Sequence, residues 1–240
     1  MLEAFASTDK GCVRANNEDY SLIESDLGLY IIADGMGGAR AGEHASRMAA
    51  DTVAELVRAA PSRDSQVLLS AVEEAHRRVV EAADSDPKLQ GMGTTLLVAL
   101  ELPDGIDIAS VGDSRAYLLD QTGFRALTDD QTWVNEVGRP LGLDEEALRT
   151  HPMRHVLTMA IGAKAPLAVN YYSVPLKGPC LMLMSSDGLH GVVDQGTLER
   201  ILQGEWTTAS LQERCQNLID AAKEAGGPDN ITVILVRKPG

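Results

Sequence analysis

The order of strand-like and helix-like segments constrains the fold of this chain more than any other feature of its 240 residues. Strand-like stretches come first, two amphipathic helices follow, and further strand-like stretches then succeed one another with no helix between them. Strands that alternate with helices would indicate a parallel sheet, whereas this spacing is typical of antiparallel strands. The chain is therefore predicted to be an α+β domain, with a central antiparallel β-sandwich flanked by α-helices.

Hydrophobic periodicity places the individual elements. Strands are predicted at residues 3–9, 20–25, 28–33, 94–101, 106–112, 115–120, 168–174, 180–186 and 231–236, with a short strand that ends near Leu127. The strands between residues 94 and 127 are interpreted as one antiparallel meander. Helices are predicted around residues 45–57, 65–79, 144–148, 198–202 and 211–222, the second of them capped by Asp64 or Ser65. Residues 129–165 are interpreted as an irregular insertion with short helices, and residues 1–240 as a single domain.

Composition narrows the class of protein. The net charge of −14 argues against a nucleic-acid binder that works by general attraction to phosphates. Three cysteines without a CxxC pair indicate neither a zinc knuckle nor a disulfide framework, and they fit a reducing, cytoplasmic setting. Neither a signal peptide nor an apolar run of membrane-spanning length is apparent, so no membrane association is expected.

The stretch from Ile31 to Gly38 indicates a buried strand that delivers Asp34 into a glycine-rich bend. A carboxylate beside approachable backbone oxygens suits a hard cation such as Mg²⁺ or Mn²⁺. Asp-Gly is also the commonest turn dipeptide, so this stretch alone is more typical of a simple turn than of a cation site. The choice between the two interpretations depends on whether other acids accompany Asp34.

Further acids do occupy comparable positions. Asp187 follows an apolar run and precedes a glycine, Asp113 lies in a Gly-Asp-Ser turn, and Asp229 lies in a turn before the last strand. Several carboxylates cannot stay ionised together in one cleft without cations, so this pattern predicts a binuclear metal centre. Arg14 precedes the acid pair Glu18-Asp19 and could hold a phosphoryl group, although a lone arginine in a loop is more often simply exposed.

Six motifs, in order along nearly the whole chain, resemble those of the metal-dependent protein serine/threonine phosphatases of the PP2C (PPM) family, in its short bacterial form. The motifs are Thr8-Asp9-x-Gly11-x-x-Arg14-x-x-Asn17-Glu18-Asp19, Ala33-Asp34-Gly35-Met36-Gly37-Gly38, Gly91-Met92-Gly93-Thr94-Thr95, Val111-Gly112-Asp113-Ser114-Arg115-Ala116, Ser185-Ser186-Asp187-Gly188-Leu189 and Pro228-Asp229-Asn230-Ile231-Thr232. The resemblance implies a four-layer αββα fold and hydrolysis of phosphoserine and phosphothreonine by attack of a metal-bridging hydroxide.

The resemblance also implies roles for individual residues. Asp34 would bridge two Mn²⁺ or Mg²⁺ ions. Asp187 and Asp229 would complete the protein ligands of the first ion, and Glu18 and the backbone carbonyl of Gly35 would serve the second.

Supporting roles follow from the same resemblance. Asp19 would hold metal-bound waters, Arg14 would bind the substrate phosphate, and Asn230 would orient the turn that carries Asp229. Asp113, together with Asp187, matches the position of a third, weaker metal ion in bacterial members.

Two segments bear on how far the resemblance extends. Animal members often carry a histidine, a proposed general acid, where this chain has Met36, so a metal-bound water is the expected acid here. Residues 129–165 align with the flap of the family, which shapes substrate access. Residues 151–162 fit the family well, whereas the middle around residues 138–142 fits less well.

The expected partners are phosphorylated serine/threonine proteins, including a bacterial serine/threonine kinase or its substrate, and the chain is expected to be a monomer. A pseudophosphatase that only sequesters partners is an alternative, although such proteins usually lack metal carboxylates and none is missing here. A metal phosphoesterase acting on small molecules or nucleic acid is the third possibility, and the acidic charge weighs against nucleic acid.

Overall fold

Eleven strands and six helices make up the computed structural model, which describes residues 2–37, 41–204 and 207–239, with the backbone alone at residues 208 and 209. The strands are β1 (Glu3–Asp9), β2 (Asp19–Glu24), β3 (Leu29–Met36), β4 (Gly93–Thr94), β5 (Leu96–Leu102), β6 (Gly105–Val111), β7 (Arg115–Asp120), β8 (Gly123–Ala126), β9 (Asn170–Pro175), β10 (Cys180–Ser185) and β11 (Ile231–Lys238). The helices are α1 (Ala41–Ala59), α2 (Ser65–Ser85), α3 (Glu145–Thr150), α4 (Asp187–His190), α5 (Gln195–Leu202) and α6 (Thr208–Glu224).

The strands form two antiparallel sheets. One has the order β1-β11-β10-β7-β8, and the other has the order β2-β3-β5-β6-β9 with β4 paired to β3. The predicted strands and helices are therefore confirmed, with boundaries shifted by a few residues. Asp34 lies within β3 rather than at its end, and Asp64 is the residue that caps α2, through its side chain and the backbone N–H of Val67 at 2.9 Å.

The predicted meander between residues 94 and 127 is wrong in one respect. Strands β5 and β6 pair in one sheet, and β7 and β8 pair in the other, so the chain changes sheet between β6 and β7. Gly112 makes this change with a φ of +98°, and a Cβ there would lie 2.7 Å from Cγ2 of Thr95. Alternation of apolar residues predicts a strand but not its partner, which the packing of the two sheets decides.

Apolar side chains fill three spaces, which confirms the four-layer arrangement of helices, sheet, sheet and helices. The space between the sheets is filled from both sides by residues such as Tyr30, Ile32, Leu118 and Met184. Helices α1 and α2 cover the outer face of the sheet that contains β3, and α5 and α6 cover the outer face of the sheet that contains β11. Within the described parts of the chain, no helix is both long and apolar enough to cross a membrane.

Residues 129–165 form the irregular insertion that the sequence predicts, and this segment is called the flap below. It contains a π-helical turn, Val134–Gly138, and the short helix α3, whose N-terminus is capped by Asp144. Two isolated β-bridges, Thr132 to Leu157 and Thr94 to Ile161, join its two ends to each other and to β4. The flap therefore contacts β4, which pairs with the C-terminal end of β3.

Candidate metal centre

A pair of aspartates from one sheet begins the site. Asp19 and Asp34 lie directly opposite each other in the antiparallel register of β2 and β3. Side chains of directly opposed residues lie on the same face of a sheet, so both carboxylates occupy the same end of the sandwich. The sequence predicted both as site residues, and the register brings them together although 14 residues of chain separate them.

Gly35 follows at a point where three backbone segments crowd together. Its N–H donates to the carbonyl of Glu18 at 3.1 Å, and that carbonyl also accepts from Oγ of Ser46 in α1 at 2.7 Å. A Cβ at position 35 would lie 2.2 Å from the carbonyl oxygen of Gly42, where no real side chain fits. Glycine is therefore required by packing and not by a turn, because φ at this residue is not positive. Gly38, the last residue of the predicted bend, lies outside the described residues.

The other sheet contributes the remaining acids. Asp187 begins α4 directly after β10, and Asp229 lies in the turn before β11. Gly188 permits this approach, since a Cβ there would lie only 1.8 Å from the carbonyl oxygen of Asn230. Asp113 comes from the turn between β6 and β7, where the chain passes from one sheet to the other.

Hydrogen bonds between the sheets fix these acids in place. Oγ of Ser186 donates to Oδ2 of Asp19 at 2.8 Å and accepts from the backbone N–H of Thr232 at 3.0 Å. The side chain of Asn230 accepts from the N–H of Glu18 at 2.8 Å and donates to the carbonyls of Lys10 and Asn16 at 3.0 and 2.9 Å. Asn230 therefore secures the whole loop that carries Arg14 and Glu18.

Burial and mutual repulsion shape the protonation of these carboxyl groups. Burial, and then the charges of Asp19 and Asp187, raise the pKa of Asp34 well above its ordinary value. Burial is also the main cause that raises the pKa of Asp19 to about 6 and that of Asp113 to about 7. Burial and the charge of Asp229 raise the pKa of Asp187. Such a group of acids is costly to ionise unless cations accompany it.

Replacing Asp113 with asparagine tests this electrostatic cost in metal-free protein. The pKa of Asp113 is about 7 in the folded protein, against its ordinary value of 3.8. The unfolded chain therefore loses this proton at a lower pH than the folded protein does. As the pH rises from about 4 to about 7, this difference destabilises the fold progressively. The stabilisation by asparagine is expected to be larger by roughly 2 kcal/mol at about pH 8 than at about pH 5.

Thermal unfolding in EDTA at both pH values measures this difference. The exposed Asp104, replaced by asparagine, is the matched control and is expected to change stability equally at both. An Asp113→Asn variant with the same stabilisation at both pH values would contradict the assignment of a raised pKa to Asp113.

The donor set suits hard divalent cations. One oxygen each of Asp19 and Asp187 is buried and has no hydrogen-bond partner among the described residues. Buried polar atoms normally have partners, so these two oxygens are suited to a ligand. In residues 2–37, 41–204 and 207–239, no three acidic, histidine or cysteine side chains already stand in a metal-binding arrangement. The carboxylate of Asp229 is bound to Arg14 instead, whose Nη2 donates to Oδ2 at 2.7 Å.

A deep cleft opens over these acids and brings together seven of the eight predicted site residues. It has a volume of about 1430 Å³. The predicted residues on its wall are Arg14, Glu18, Asp34, Gly35, Asp113, Asp187 and Asp229. Asp19 does not line the cleft but lies buried beneath it, 8% exposed. Met36 also lines the cleft and carries no proton to donate.

Supporting residues were not predicted from the sequence. Thr95 accepts the N–H of Asp34 on its hydroxyl at 3.0 Å, and this hydroxyl lies 2.8 Å from that of Ser114, next to Asp113. Arg115 forms a two-point ion pair with Asp130 at the base of the flap, at 2.8 and 2.6 Å. In the sequence, Thr95 appears only as a small hydroxyl residue at the start of a core strand. That pattern by itself does not predict a role in the site.

Comparison with known proteins assigns most of the chain to one family. The model for protein phosphatase 2C matches residues 13–222. A serine/threonine phosphatase named stp from Listeria welshimeri is 36% identical over 250 residues, covering 99% of this chain and 96% of that protein. The protein phosphatase PhpP of Streptococcus pneumoniae is 31% identical over 246 residues, covering 98% of this chain and 97% of that protein.

Solved structures agree with these relatives. The serine/threonine phosphatase of S. agalactiae superimposes with a TM-score of 0.90 at 33% identity, covering 98% of this chain and 99% of that one. The catalytic domain of the protein phosphatase PstP, solved in complex with two manganese ions, gives a TM-score of 0.87 at 31% identity and covers 100% of this chain and 99% of that one. Buried acids at one end of a four-layer sandwich agree with this similarity: the chain belongs to the protein phosphatase 2C family and is a metal-dependent protein serine/threonine phosphatase.

Proposed function

We propose that the carboxylate centre holds two Mn²⁺ or Mg²⁺ ions, with Asp34 shared between them. Asp187 and Asp229 are the further ligands of one ion. Glu18 and the backbone carbonyl of Gly35 are the ligands of the other. When bound, such ions neutralise the acids, lower the pKa of water and withdraw charge from a phosphate group.

The observation that carries this proposal is the set of buried acids under one open cleft. Neighbouring carboxylates raise the pKa values of Asp19, Asp34 and Asp187 beyond the effect of burial, with Asp229 acting on all three, and a cation relieves this repulsion. The partnerless oxygens of Asp19 and Asp187 support the same conclusion. We assign to Asp19 the holding of waters around the ions, because it lies beneath the cleft and not on its wall.

A third, weaker ion is proposed at Asp113 and Asp187. The charge of Asp187 contributes to the raised pKa of Asp113, which supports their proximity. The charge of Asp130 raises the pKa of Asp113 further, and the charge of its ion-pair partner Arg115 lowers it by less, so a cation here would also relieve repulsion. Only two of the proposed ligand carboxylates serve this ion, which supports a weaker affinity here than at the shared position of Asp34.

Arg14 is proposed to bind the substrate phosphate. Its side chain is 52% exposed on the cleft wall, and Nη2 is bound to Asp229. A guanidinium group has five N–H donors, so this contact leaves others free for phosphate oxygens. Met36 lines the same cleft and cannot serve as an acid, so water is the proposed proton donor to the leaving group.

The proposed substrates are phosphoserine and phosphothreonine proteins, including a bacterial serine/threonine kinase or its substrate, and the chain is proposed to act as a monomer. Two observations support a protein substrate: relatives are named serine/threonine phosphatases, and the cleft is large. A cytoplasmic setting is supported only by the three cysteines, none of which forms a disulfide.

Comparison of substrates tests the proposed function. With Mn²⁺, kcat/KM on a phosphothreonine peptide is expected to exceed that on p-nitrophenyl phosphate by about tenfold or more, because contacts remote from the phosphate add binding energy. A phosphotyrosine peptide of the same sequence is the matched control and is expected to be poor. A preference for the small ester would instead favour a small-molecule phosphoesterase.

A further inference from the structure

Arg154 on the flap has an unusual lack of partners for an arginine in so acidic a chain. Among the arginines whose side chains are described, only Arg47 and Arg154 donate no hydrogen bond and form no ion pair. Arg47 lies over the ring of Tyr20, 4.8 Å from its centroid. Arg154 has neither kind of contact, although the net charge of −14 makes carboxylates abundant. Its guanidinium group is therefore available to an external anion.

Arg154 lies where its guanidinium group can contact a substrate. Arg154 lines the same cleft as Arg14 and Asp34. The neighbouring His155 lines this cleft as well, together with Asp187. The turn that carries Arg154 therefore overhangs the proposed metal centre.

The backbone beneath Arg154 is firmly held. The rings of Trp133 and His151 stack with their centroids 4.0 Å apart. Nδ1 of His151 accepts from the N–H of Met153 at 3.1 Å, and its carbonyl accepts from the N–H of Arg154, also at 3.1 Å. The N–H of Trp133 donates to the carbonyl of Val156 at 2.8 Å. A cation on such a turn is positioned before substrate arrives, which reduces the entropy lost on binding.

The remaining flap arginines are already neutralised. Arg139 pairs with Glu145, and Arg149 pairs with Glu146 at 2.8 Å, so both carry a carboxylate beside them. Surface pairs of this kind leave little net charge for a ligand. Among the flap arginines, Arg154 is thus the one whose charge no acid offsets.

The cleft is large enough for Arg154 to bind a different part of the substrate from the phosphate that Arg14 is proposed to bind. A volume of about 1430 Å³ exceeds that of common ligand pockets, which hold roughly 300–1000 Å³, and is far larger than a phosphoryl group. Residues on either side of the phosphorylated one therefore have room inside it. The acidic surface elsewhere would repel a substrate with carboxylates, so a local cation is needed to accept one.

We propose that Arg154 is a specificity-determining residue that binds a carboxylate side chain near the phosphorylated serine or threonine, so that acidic phosphopeptides are the preferred substrates. This inference rests on the proposed protein phosphatase function and goes beyond it by naming the class of peptide. A guanidinium group can bind a carboxylate through two parallel hydrogen bonds, which favours a glutamate or aspartate side chain over a neutral one.

Phosphothreonine peptides that differ only in their flanking residues test the inference. Glutamates, alanines or lysines are placed on both sides of the phosphothreonine, and kcat/KM is measured with Mn²⁺. Wild type is expected to favour the glutamate peptide over the alanine peptide by about tenfold, since exposed charge pairs contribute modestly. In Arg154→Ala that ratio is expected to approach one, and in Arg154→Glu the lysine peptide is expected to become the best substrate.

Arg200→Glu is the matched control for the change in net charge. Arg200 is exposed on α5, outside the cleft, and bonds only to Thr197 in its own helix. The control is expected to keep the wild-type ratio between glutamate and alanine peptides.

Two results would overturn the inference. The first is a wild-type enzyme that hydrolyses all three peptides equally well. The second is an Arg154→Ala variant that loses activity on every peptide in proportion and keeps the wild-type ratio, since Arg154 would then bind the phosphoryl group itself. Hydrolysis of no phosphopeptide at all, with the small ester still cleaved, would instead refute the proposed function and the inference together.

Discussion

Replacing Asp34 with asparagine is expected to lower kcat/KM on a phosphothreonine peptide by at least about a thousandfold, as expected when a shared metal ligand is lost. Asparagine has the same shape but no charge, so it cannot bridge two cations as a carboxylate does. The fold is expected to survive, because the N–H and carbonyl of residue 34 keep their bonds to Thr95.

Stability gives this variant a second readout. Burial and neighbouring acids raise the pKa of Asp34 well above its usual value, so the ionised carboxylate destabilises metal-free protein at neutral pH. In EDTA, Asp34→Asn is therefore expected to unfold at a higher temperature than wild type. With Mn²⁺ the order is expected to reverse, because wild type gains stability from binding the metal.

The controls are metal removal and a neutral surface change. EDTA is expected to abolish wild-type activity and added Mn²⁺ to restore it, whereas Asp104→Asn, in an exposed turn, is expected to behave as wild type throughout. An Asp34→Asn enzyme with wild-type turnover would contradict the shared-ligand role, and wild-type activity that persists in EDTA would contradict the metal centre altogether.

Replacing Asn230 with alanine is expected to cost about 2–4 kcal/mol of unfolding free energy, because three partly buried hydrogen bonds to backbone groups are lost together. The amide side chain is the link between the turn before β11 and the backbone at Lys10, Asn16 and Glu18. It is only 5% exposed, so water cannot replace it without rearrangement.

The same change is expected to weaken Mn²⁺ binding by about ten- to a hundredfold, since groups that orient metal ligands are nearly as important as the ligands. Asn230→Asp is expected to be equally damaging, because a carboxylate cannot donate to the carbonyls of Lys10 and Asn16. Chemical unfolding in EDTA and calorimetric Mn²⁺ titration measure the two effects separately.

Gln216 offers a matched amide for comparison. It is exposed on α6, and its side chain donates to Asp220 alone. Gln216→Ala is expected to change stability by less than about 0.5 kcal/mol and leave Mn²⁺ affinity as in wild type. If Asn230→Ala proved no more harmful than Gln216→Ala, the loop that carries Arg14 would not depend on this side chain.

Local sequence patterns predicted most elements because each carries its own signal. The apolar run in β3 and the helical periodicity of α2 are properties of neighbouring residues, so both elements are where the sequence placed them. The change of sheet at Gly112 could not be predicted, because it depends on which strand lies beside another in space.

The candidate site divides in the same way. Asp34, Asp187 and Asp229 were predictable because each acid stands next to a glycine or proline in the sequence and close to one end of a strand. The contact of Ser186 with Asp19 joins residues 167 apart in the chain, and that of Asn230 with the carbonyl of Lys10 joins residues 220 apart. Such partners leave no local pattern, and for Asn230 a turn-orienting role was predicted where the structure shows a link to the N-terminal loop.

The division of the site between two sheets has a consequence for protein synthesis. Asp19 and Asp34 come early in the chain, whereas Asp229 comes just before the final strand, which pairs with β1 and β10. A nascent chain that ends before residue 229 therefore lacks part of the proposed metal centre. It also lacks β11, the strand that lies between β1 and β10 in the sheet. Premature termination upstream of this residue is expected to yield inactive polypeptide, so abortive translation would not release unregulated phosphatase activity into the cell.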